Sequence, residues 1–149
     1  MSFQRITPEE AKKLLEGDSG HLYIDVRSSH EFKEGHATGA RNVPLAEVDA
    51  ATGQMLPNPD FERVMLEVYP KGEKLILACA AGGRSQAACH MLESHGYEHL
   101  FNMHGGFLGA RDPYGNLIQE GWQGSGFPTA AGDDECVTYA SILQKLKGS

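Results

Sequence analysis

The sequence has few cysteines and no long apolar run. Its three cysteines, Cys79, Cys89 and Cys136, are odd in number and lie too far apart for a C-x-x-C motif. At least one thiol is therefore expected to be free, which suits a reducing compartment. The longest strongly apolar run, residues 75–81, is far shorter than the roughly 20 residues that cross a bilayer. Because residues 1–5 also lack an apolar signal core, the sequence predicts a cytoplasmic protein without a membrane partner.

Basic residues are also scarce, with 13 Lys and Arg against 20 Asp and Glu and a formal net charge of −7. This balance argues against a nucleic-acid partner, because phosphate backbones are bound mainly by Lys and Arg. A small anionic substrate remains compatible, since a local pocket can be positive on an acidic protein. The seven histidines show no metal-ligand spacing. A length of 149 residues and 40% hydrophobic residues indicate one globular domain, which we take as residues 1–149.

Strand patterns alternate with helix patterns, which indicates an α/β fold with a mainly parallel sheet. Thr7, Pro8 and Glu10 form a capping box at a helix start, and Asp60 is expected to cap a second helix. The predicted helices are residues 7–17, 60–68, 84–95 and a last one opened by residues 133–135. The predicted strands are residues 22–26, 74–79 and 97–101, with a short extended piece at 41–45, a loop at 50–59 and an irregular segment at 110–126.

Cys79 stands at the carboxyl end of the most apolar strand, and a loop of small residues follows it. Ligands of open α/β sheets bind at that end of the strands. A loop of small residues that leads into a helix can direct its N–H groups at an anion, and Arg84 adds positive charge. Such surroundings favour the thiolate, which is the nucleophilic form of cysteine. The pattern predicts a nucleophile; the alternative is that Cys79 is an ordinary buried core thiol.

Several blocks, in order along the chain, resemble the rhodanese family. The blocks are residues 23–27 with Asp-x-Arg, 31–44 with E-[FY]-x-x-G-H and G-A-x-N-[IV]-P, 79–85 with C-x-x-G-x-R-S, and the glycines at 96 and 105–106. They cover about residues 4–129 and leave residues 130–149 as a C-terminal helical extension. The resemblance implies a compact, mainly parallel sheet flanked by helices on both faces.

The resemblance also implies a reaction and a set of site residues. Cys79 would be the catalytic nucleophile that takes the outer sulfur of a donor such as thiosulfate, releases sulfite, and passes the sulfur to cyanide or a thiol. A protein could also accept the sulfur, and no metal or organic cofactor is implied. The loop residues that would bind the substrate and hold the persulfide through their N–H groups are Ala80, Ala81, Gly82, Gly83, Arg84 and Ser85.

Other residues receive supporting roles. Asp25 and Arg27 are expected to form a buried pair that braces the loops beside the nucleophile, and His36 to be a structural histidine bonded to backbone. Cys89 is expected in the core and Cys136 in the last helix, where an inert thiol is favoured over a resolving one. Whether His104 reaches the pocket is left open.

Two departures from the family pattern concern the pocket. Trp122 comes later than the family's tryptophan, so residues 110–120 resemble an insertion that walls the pocket and changes the choice of donor. Ala80 and Ala81 stand where some members have basic or polar groups. These uncharged residues leave a preference for thiosulfate open.

Two rival functions remain open from the sequence. The first is a cysteine phosphatase or arsenate reductase; cysteine phosphatases need a Cys-x5-Arg loop to encircle a tetrahedral phosphate, whereas Cys79 and Arg84 are spaced as Cys-x4-Arg. The shorter loop fits a persulfide better. A non-catalytic or partner-dependent rhodanese-like module is the other rival, although such modules usually lack the cysteine.

Overall fold

The computed structural model describes residues 3–148. Residues 1, 2 and 149, which the predicted domain of residues 1–149 includes, lie outside the described residues. The helices are α1 (Pro8–Glu16), α2 (Ser29–Glu34), α3 (Phe61–Val68), α4 (Gly83–Ser94) and α5 (Tyr139–Lys147). The strands are β1 (Gln4–Ile6), β2 (Leu22–Asp25), β3 (His36–Ala37), β4 (Arg41–Asn42), β5 (Ala46–Val48), β6 (Met55–Pro57), β7 (Leu75–Ala78), β8 (Leu100–Met103), β9 (Ala110–Arg111), β10 (Leu117–Gln119) and β11 (Thr129–Ala130).

Five strands form the central sheet in the order β1-β8-β7-β2-β4, and every neighbouring pair in it is parallel. The predicted α/β fold with a mainly parallel sheet is therefore confirmed. Three further two-stranded sheets, β5 with β6, β9 with β10 and β3 with β11, are antiparallel. None of the helices within residues 3–148 has the length and apolar character needed to span a bilayer.

Strand β7 lies at the centre of the sheet, and both of its faces are covered. Leu75 and Leu77 pack into one core cluster with side chains of α3, α4 and α5. Ile76 and Ala78 pack into the opposite cluster with side chains of α1 and α2. All four strand residues are fully buried, as their continuous apolar run predicts. Because packing on both faces holds the strand, the position of the next residue, Cys79, is well defined.

The first two predicted helices, α1 and α3, begin where the sequence signals place them, but only the first is capped as expected. Thr7 accepts a hydrogen bond from the N–H of Glu10 while the Glu10 carboxylate accepts from the N–H of Thr7, so the predicted capping box of α1 is confirmed. Asp60 occupies the N-cap position of α3 but makes no side-chain capping bond, so its predicted capping role is wrong. Its backbone is already in the right-handed helical region instead of the extended conformation typical of N-caps.

The start predicted for the last helix is wrong. Residues 133–135 form turns, and α5 begins only at Tyr139 with Thr138 as its N-cap. The segment before it is held by backbone hydrogen bonds to residues 39–42, including Val137 O accepting from the N–H of Asn42 at 2.9 Å. These tertiary bonds occupy the backbone groups that a helix would use, which overrides the favourable acidic residues.

Several short elements were not predicted. The region read as a loop at residues 50–59 contains β6, which pairs with β5, and the segment read as irregular at 110–126 contains the β9–β10 hairpin. Helix α2, with a Ser28 and Glu31 capping box, was also missed. The strand expected at residues 97–101 begins at Leu100 and runs to Met103. Elements of two to six residues carry too little hydrophobic periodicity to be found from sequence.

Candidate active site

The Cys79 thiol lies at the N-terminus of α4, directly after β7. The N–H of Gly82, the N-cap residue of this 12-residue helix, donates a hydrogen bond to Cys79 Sγ at 3.0 Å. Gly82 has φ +128°, a conformation that other residues rarely adopt, so the glycine is what allows the loop to turn its N–H toward the sulfur. Cys79 is only 2% exposed. The positive end of the helix therefore faces an enclosed sulfur, an arrangement that stabilises negative charge on it.

Ser85 lies beside the same sulfur, and Asn102 binds the Ser85 hydroxyl. The Ser85 hydroxyl is 3.5 Å from Cys79 Sγ, 2.5 Å from Asn102 Oδ1 and 3.1 Å from the carbonyl oxygen of Gly82. A hydroxyl has one proton and donates to one acceptor at a time, so Ser85 can donate to the sulfur only by turning from Asn102 or Gly82. Asn102, on β8, was missed from the sequence; the available signal was a polar residue inside a buried strand.

Two consecutive glycines, Gly105 and Gly106, follow β8, and the loop that contains them packs directly against the Cys79 loop. A Cβ at Gly106, where φ is +55°, would overlap the carbonyl oxygen of Cys79 and the backbone of Ala80. Beyond it, the N–H of Phe107 donates to Cys79 O at 2.8 Å and that of Leu108 to Ala80 O at 2.9 Å. The Cys79 loop is thus held by close backbone contacts that are possible only because residue 106 is a glycine.

The sequence led us to expect a free positive charge on Arg84 beside the loop, but the structure shows that this charge is paired. Its guanidinium forms a two-pronged ion pair with the Glu31 carboxylate of α2, with N–O distances of 2.7 and 2.9 Å. The hydrogen bond to Arg84 is the main cause that lowers the pKa of Glu31 to about 2, and the same bond raises the pKa of Arg84. Glu31, a residue that sequence reasoning quoted only as part of the family block, is the partner that neutralises Arg84.

Asp25 and Arg27 form the buried pair predicted from the sequence. Arg27 Nη2 lies 2.8 Å from Asp25 Oδ2, Nε contacts both carboxylate oxygens, and Nη2 also donates to the carbonyl oxygen of Gly35. The guanidinium stacks over the Phe107 ring at 4.5 Å. Burial lowers the pKa of Arg27, but the hydrogen bond and charge of Asp25 outweigh it and raise the pKa. The pair links the end of β2 to the loop that supports Cys79.

The remaining loop residues named from the sequence surround the sulfur at different depths. Ala81 and Gly83 are exposed, Ala80 and Gly82 are half-buried and Ser85 is buried. Of the predicted cradle of N–H groups, the hydrogen bond that the structure shows to Sγ is that of Gly82. Ala81 and Gly83 lie at the rim of the site.

The structure places three other residues singled out from the sequence away from Cys79 Sγ or in the core, while a contact of His104 with the pocket stays a prediction. His36 is fully buried, with its two ring nitrogens bonded to the carbonyl oxygens of Phe32 and Asp134, which confirms its structural role. Cys89 is fully buried in the core, as predicted, and burial raises the pKa of its thiol to about 12. Cys136 precedes α5 instead of lying in it. The pKa of His104 is lowered by burial and by Arg5 of β1.

Within residues 3–148 no group of three or more His, Cys, Asp or Glu side chains is arranged to hold a metal.

The inserted segment acts on the Cys79 loop indirectly. Its hairpin packs against the double glycine, where a Cβ at Gly105 would crowd the backbone of Glu120. Trp122 is buried, and its backbone N–H donates to Gly106 O. A cavity of about 630 Å³ that this segment lines lies against α1 and includes Lys12 and Phe127 but no residue of the Cys79 loop. The segment therefore packs against the double-glycine loop, which in turn contacts the Cys79 loop. Its effect on the choice of donor stays a prediction.

Comparisons with known proteins show the family and the fold of the chain. A family model of the rhodanese-like domain matches residues 7–111. The chain is 43% identical over 90 residues to Protein HIGH ARSENIC CONTENT 1, mitochondrial, from Arabidopsis thaliana, a match that covers 60% of this chain and 52% of that protein, about half its length. It is 35% identical over 113 residues to Thiosulfate sulfurtransferase 16, chloroplastic, from the same plant, covering 76% and 82%. The crystal structure of Rv0390 from M. tuberculosis superimposes with a TM-score of 0.70 at 25% identity, covering 87% and 98%.

Proposed function

This chain belongs to the rhodanese-like domain family, and from that membership we propose that it transfers sulfane sulfur through a persulfide on Cys79. The single observation that carries the proposal is the 3.0 Å hydrogen bond from the Gly82 N–H to Cys79 Sγ at the start of α4. A helix N-terminus that donates to a sulfur stabilises its anion, and the anion is the form that attacks a sulfane sulfur.

The proposed reaction has two steps. In the first, the Cys79 thiolate attacks the outer sulfur of a donor such as thiosulfate; a Cys79 S–S bond forms while the donor S–S bond breaks, and sulfite leaves with the bonding electrons. In the second, a thiol or cyanide attacks the terminal sulfur of the persulfide, and the Cys79 thiolate is regenerated. Such covalent catalysis predicts ping-pong kinetics.

The loop and its supports receive roles in this scheme. Residues 80–85 would surround the terminal sulfur of the persulfide, with the Gly82 N–H and the Ser85 hydroxyl as the nearest donors. The buried Asp25–Arg27 pair would keep the loops in place without touching the reacting atoms. With Cys79 only 2% exposed, the donor must reach it with a thin terminal atom, which a sulfane sulfur provides and a bulky tetrahedral phosphate does not.

Intact-mass measurement tests the proposal directly. Treatment of the protein with thiosulfate, and in parallel with the persulfide of 2-mercaptoethanol, should add about 32 Da, one sulfur, to the chain. Cys79→Ser should abolish the gain. Cys89→Ser is the matched control, because that thiol is fully buried and should leave the gain unchanged.

The outcomes separate the proposal from its two rivals. If no small donor adds sulfur but a persulfide-bearing protein does, the chain is a partner-dependent relay and the proposed turnover with small donors is wrong. Efficient hydrolysis of a phosphate ester by Cys79 without any sulfur gain would indicate a cysteine phosphatase instead. Both outcomes overturn the proposal as stated.

A further inference from the structure

Four charged side chains near Cys79 are matched in pairs. Arg27 is bound to Asp25, and Arg84 is bound to Glu31. The charge of Arg84 also interacts with Cys79 and Asp25, and that of Arg27 with Glu31, so the two pairs lie close enough to feel each other's charge. The sum of their formal charges is zero.

The loop residues other than Arg84 add no charge. Residues 80–83 are alanines and glycines, and Ser85 is neutral. Among the described residues of the loop, Arg84 is thus the one cation, and its guanidinium is already occupied by a carboxylate. A paired guanidinium attracts an incoming anion only weakly, because the nearby negative charge cancels most of its field.

Thiosulfate and alkyl persulfides differ in what they need from such a site. Thiosulfate is a dianion, so its binding depends twice as strongly on the local potential as that of a singly charged persulfide. A site with matched charges gives a dianion little attraction and still removes part of its hydration, whereas a persulfide with a neutral alkyl tail loses less.

We propose that the sulfur donor of this site is a small alkyl persulfide with one negative charge, and that Glu31 is the specificity-determining residue that disfavours thiosulfate. This inference rests on the proposed persulfide chemistry of Cys79. The Cys79 thiolate attacks the terminal sulfur of the anion R–S–S⁻, a Cys79 S–S bond forms as the donor S–S bond breaks, and R–S⁻ leaves with the bonding electrons. The negative charge of the donor stays on the transferred sulfur as the Cys79 persulfide anion, and no other reactant is needed.

Glu31→Gln removes the negative charge that is paired with Arg84 and leaves the guanidinium with its full positive charge. Besides its pairing with Arg84, Glu31 accepts hydrogen bonds from the backbone N–H and the hydroxyl of Ser28 in the capping box of α2. The amide oxygen of glutamine can keep these bonds, so the helix start should be preserved. Glu47→Gln is the matched control, because Glu47 also binds the start of α2, through the N–H and hydroxyl of Ser29, but is not the partner of Arg84.

The experiment measures the second-order rate of Cys79 persulfide formation, by quenched-flow and intact mass, with thiosulfate and with the persulfide of 2-mercaptoethanol. Glu31→Gln should raise the rate with thiosulfate about tenfold and the rate with the persulfide only about threefold, because the logarithm of the gain scales with donor charge. High salt should shrink both gains, since the pair is partly exposed. Glu47→Gln should change neither rate.

The change in the ratio of the two rates decides the question, because the two donors differ in intrinsic reactivity. An equal gain for both donors, or none for either, overturns the role of Glu31 while sulfur addition to Cys79 still stands. An equal effect of Glu47→Gln overturns it as well, since a general loss of negative charge would then be the cause. Failure of both donors to modify Cys79 in the unsubstituted protein refutes the underlying sulfur transfer instead.

Discussion

The two carboxylate–guanidinium pairs beside Cys79 have nearly equal lengths but lie in different surroundings. The closest N–O distance is 2.8 Å between Arg27 and Asp25 and 2.7 Å between Arg84 and Glu31. The side chains of the first pair are 3% and 1% exposed, whereas both side chains of the second are 28% exposed. Bond length alone therefore says little about what each pair does for the protein.

Solvent exposure separates a structural pair from an adjustable one. Removing one partner of a buried pair leaves an uncompensated charge inside the protein, which costs about 3–5 kcal/mol. An exposed pair contributes about 0–1 kcal/mol because water and salt screen it. We infer that Asp25–Arg27 holds the loops around Cys79, whereas Glu31–Arg84 can be altered to change the charge of the site without unfolding it.

The largest effect is expected for Arg27→Met. The substitution leaves Asp25 buried without its cation, so the free energy of unfolding should fall by about 3–5 kcal/mol in urea titrations. Adding Asp25→Asn to this variant removes the orphaned charge and should restore a substantial part of the loss. A loss below about 1 kcal/mol for the single variant would show that the buried pair is no more important than an exposed one.

The same change at the other pair should cost far less. Arg84→Met is expected to lower the free energy of unfolding by about 1 kcal/mol or less, because Glu31 stays partly hydrated when it loses its partner. Urea titrations of the two Arg→Met variants, run side by side, measure the difference. Equal losses would contradict the distinction between the pairs.

The smallest effect concerns pH. The pKa of Glu31 is lowered from 4.5 to about 2 in the folded protein, mainly by Arg84. Its contribution to stability should therefore be fully present above about pH 4.5, decline as the pH falls toward 2, and vanish below that. The thermal midpoints of the unsubstituted protein and of Glu31→Gln, compared across this range, should converge on acidification. A gap that widens toward low pH has the wrong sign for this pair.

Much of the site could be predicted because its signals are local. Cys79, the small-residue loop and the start of α4 follow one another along the chain, and a strand end, a glycine turn and a helix N-terminus are all read from neighbouring residues. Asp25 and Arg27 are two residues apart at the end of β2, so their pairing was also within reach.

The residues that were missed belong to distant segments. Glu31 and Arg84 are 53 positions apart, and Ser85 and Asn102 are 17 apart on different elements. Sequence patterns identify such side chains as polar but do not say which of them meet. The last helix was misplaced for a related reason, since residues 133–137 are held by bonds to residues 39–42 that no local pattern shows.

The sequence by itself determined the alternation of strands and helices, the enclosed strand β7, and a thiol at a helix N-terminus, because propensity, capping and turn formation act over a few neighbouring residues. Only the tertiary structure decided the charge of the site. The order of strands in the sheet and the packing of α2 bring Glu31 to Arg84, and that contact converts the cation expected from the sequence into a neutral pair.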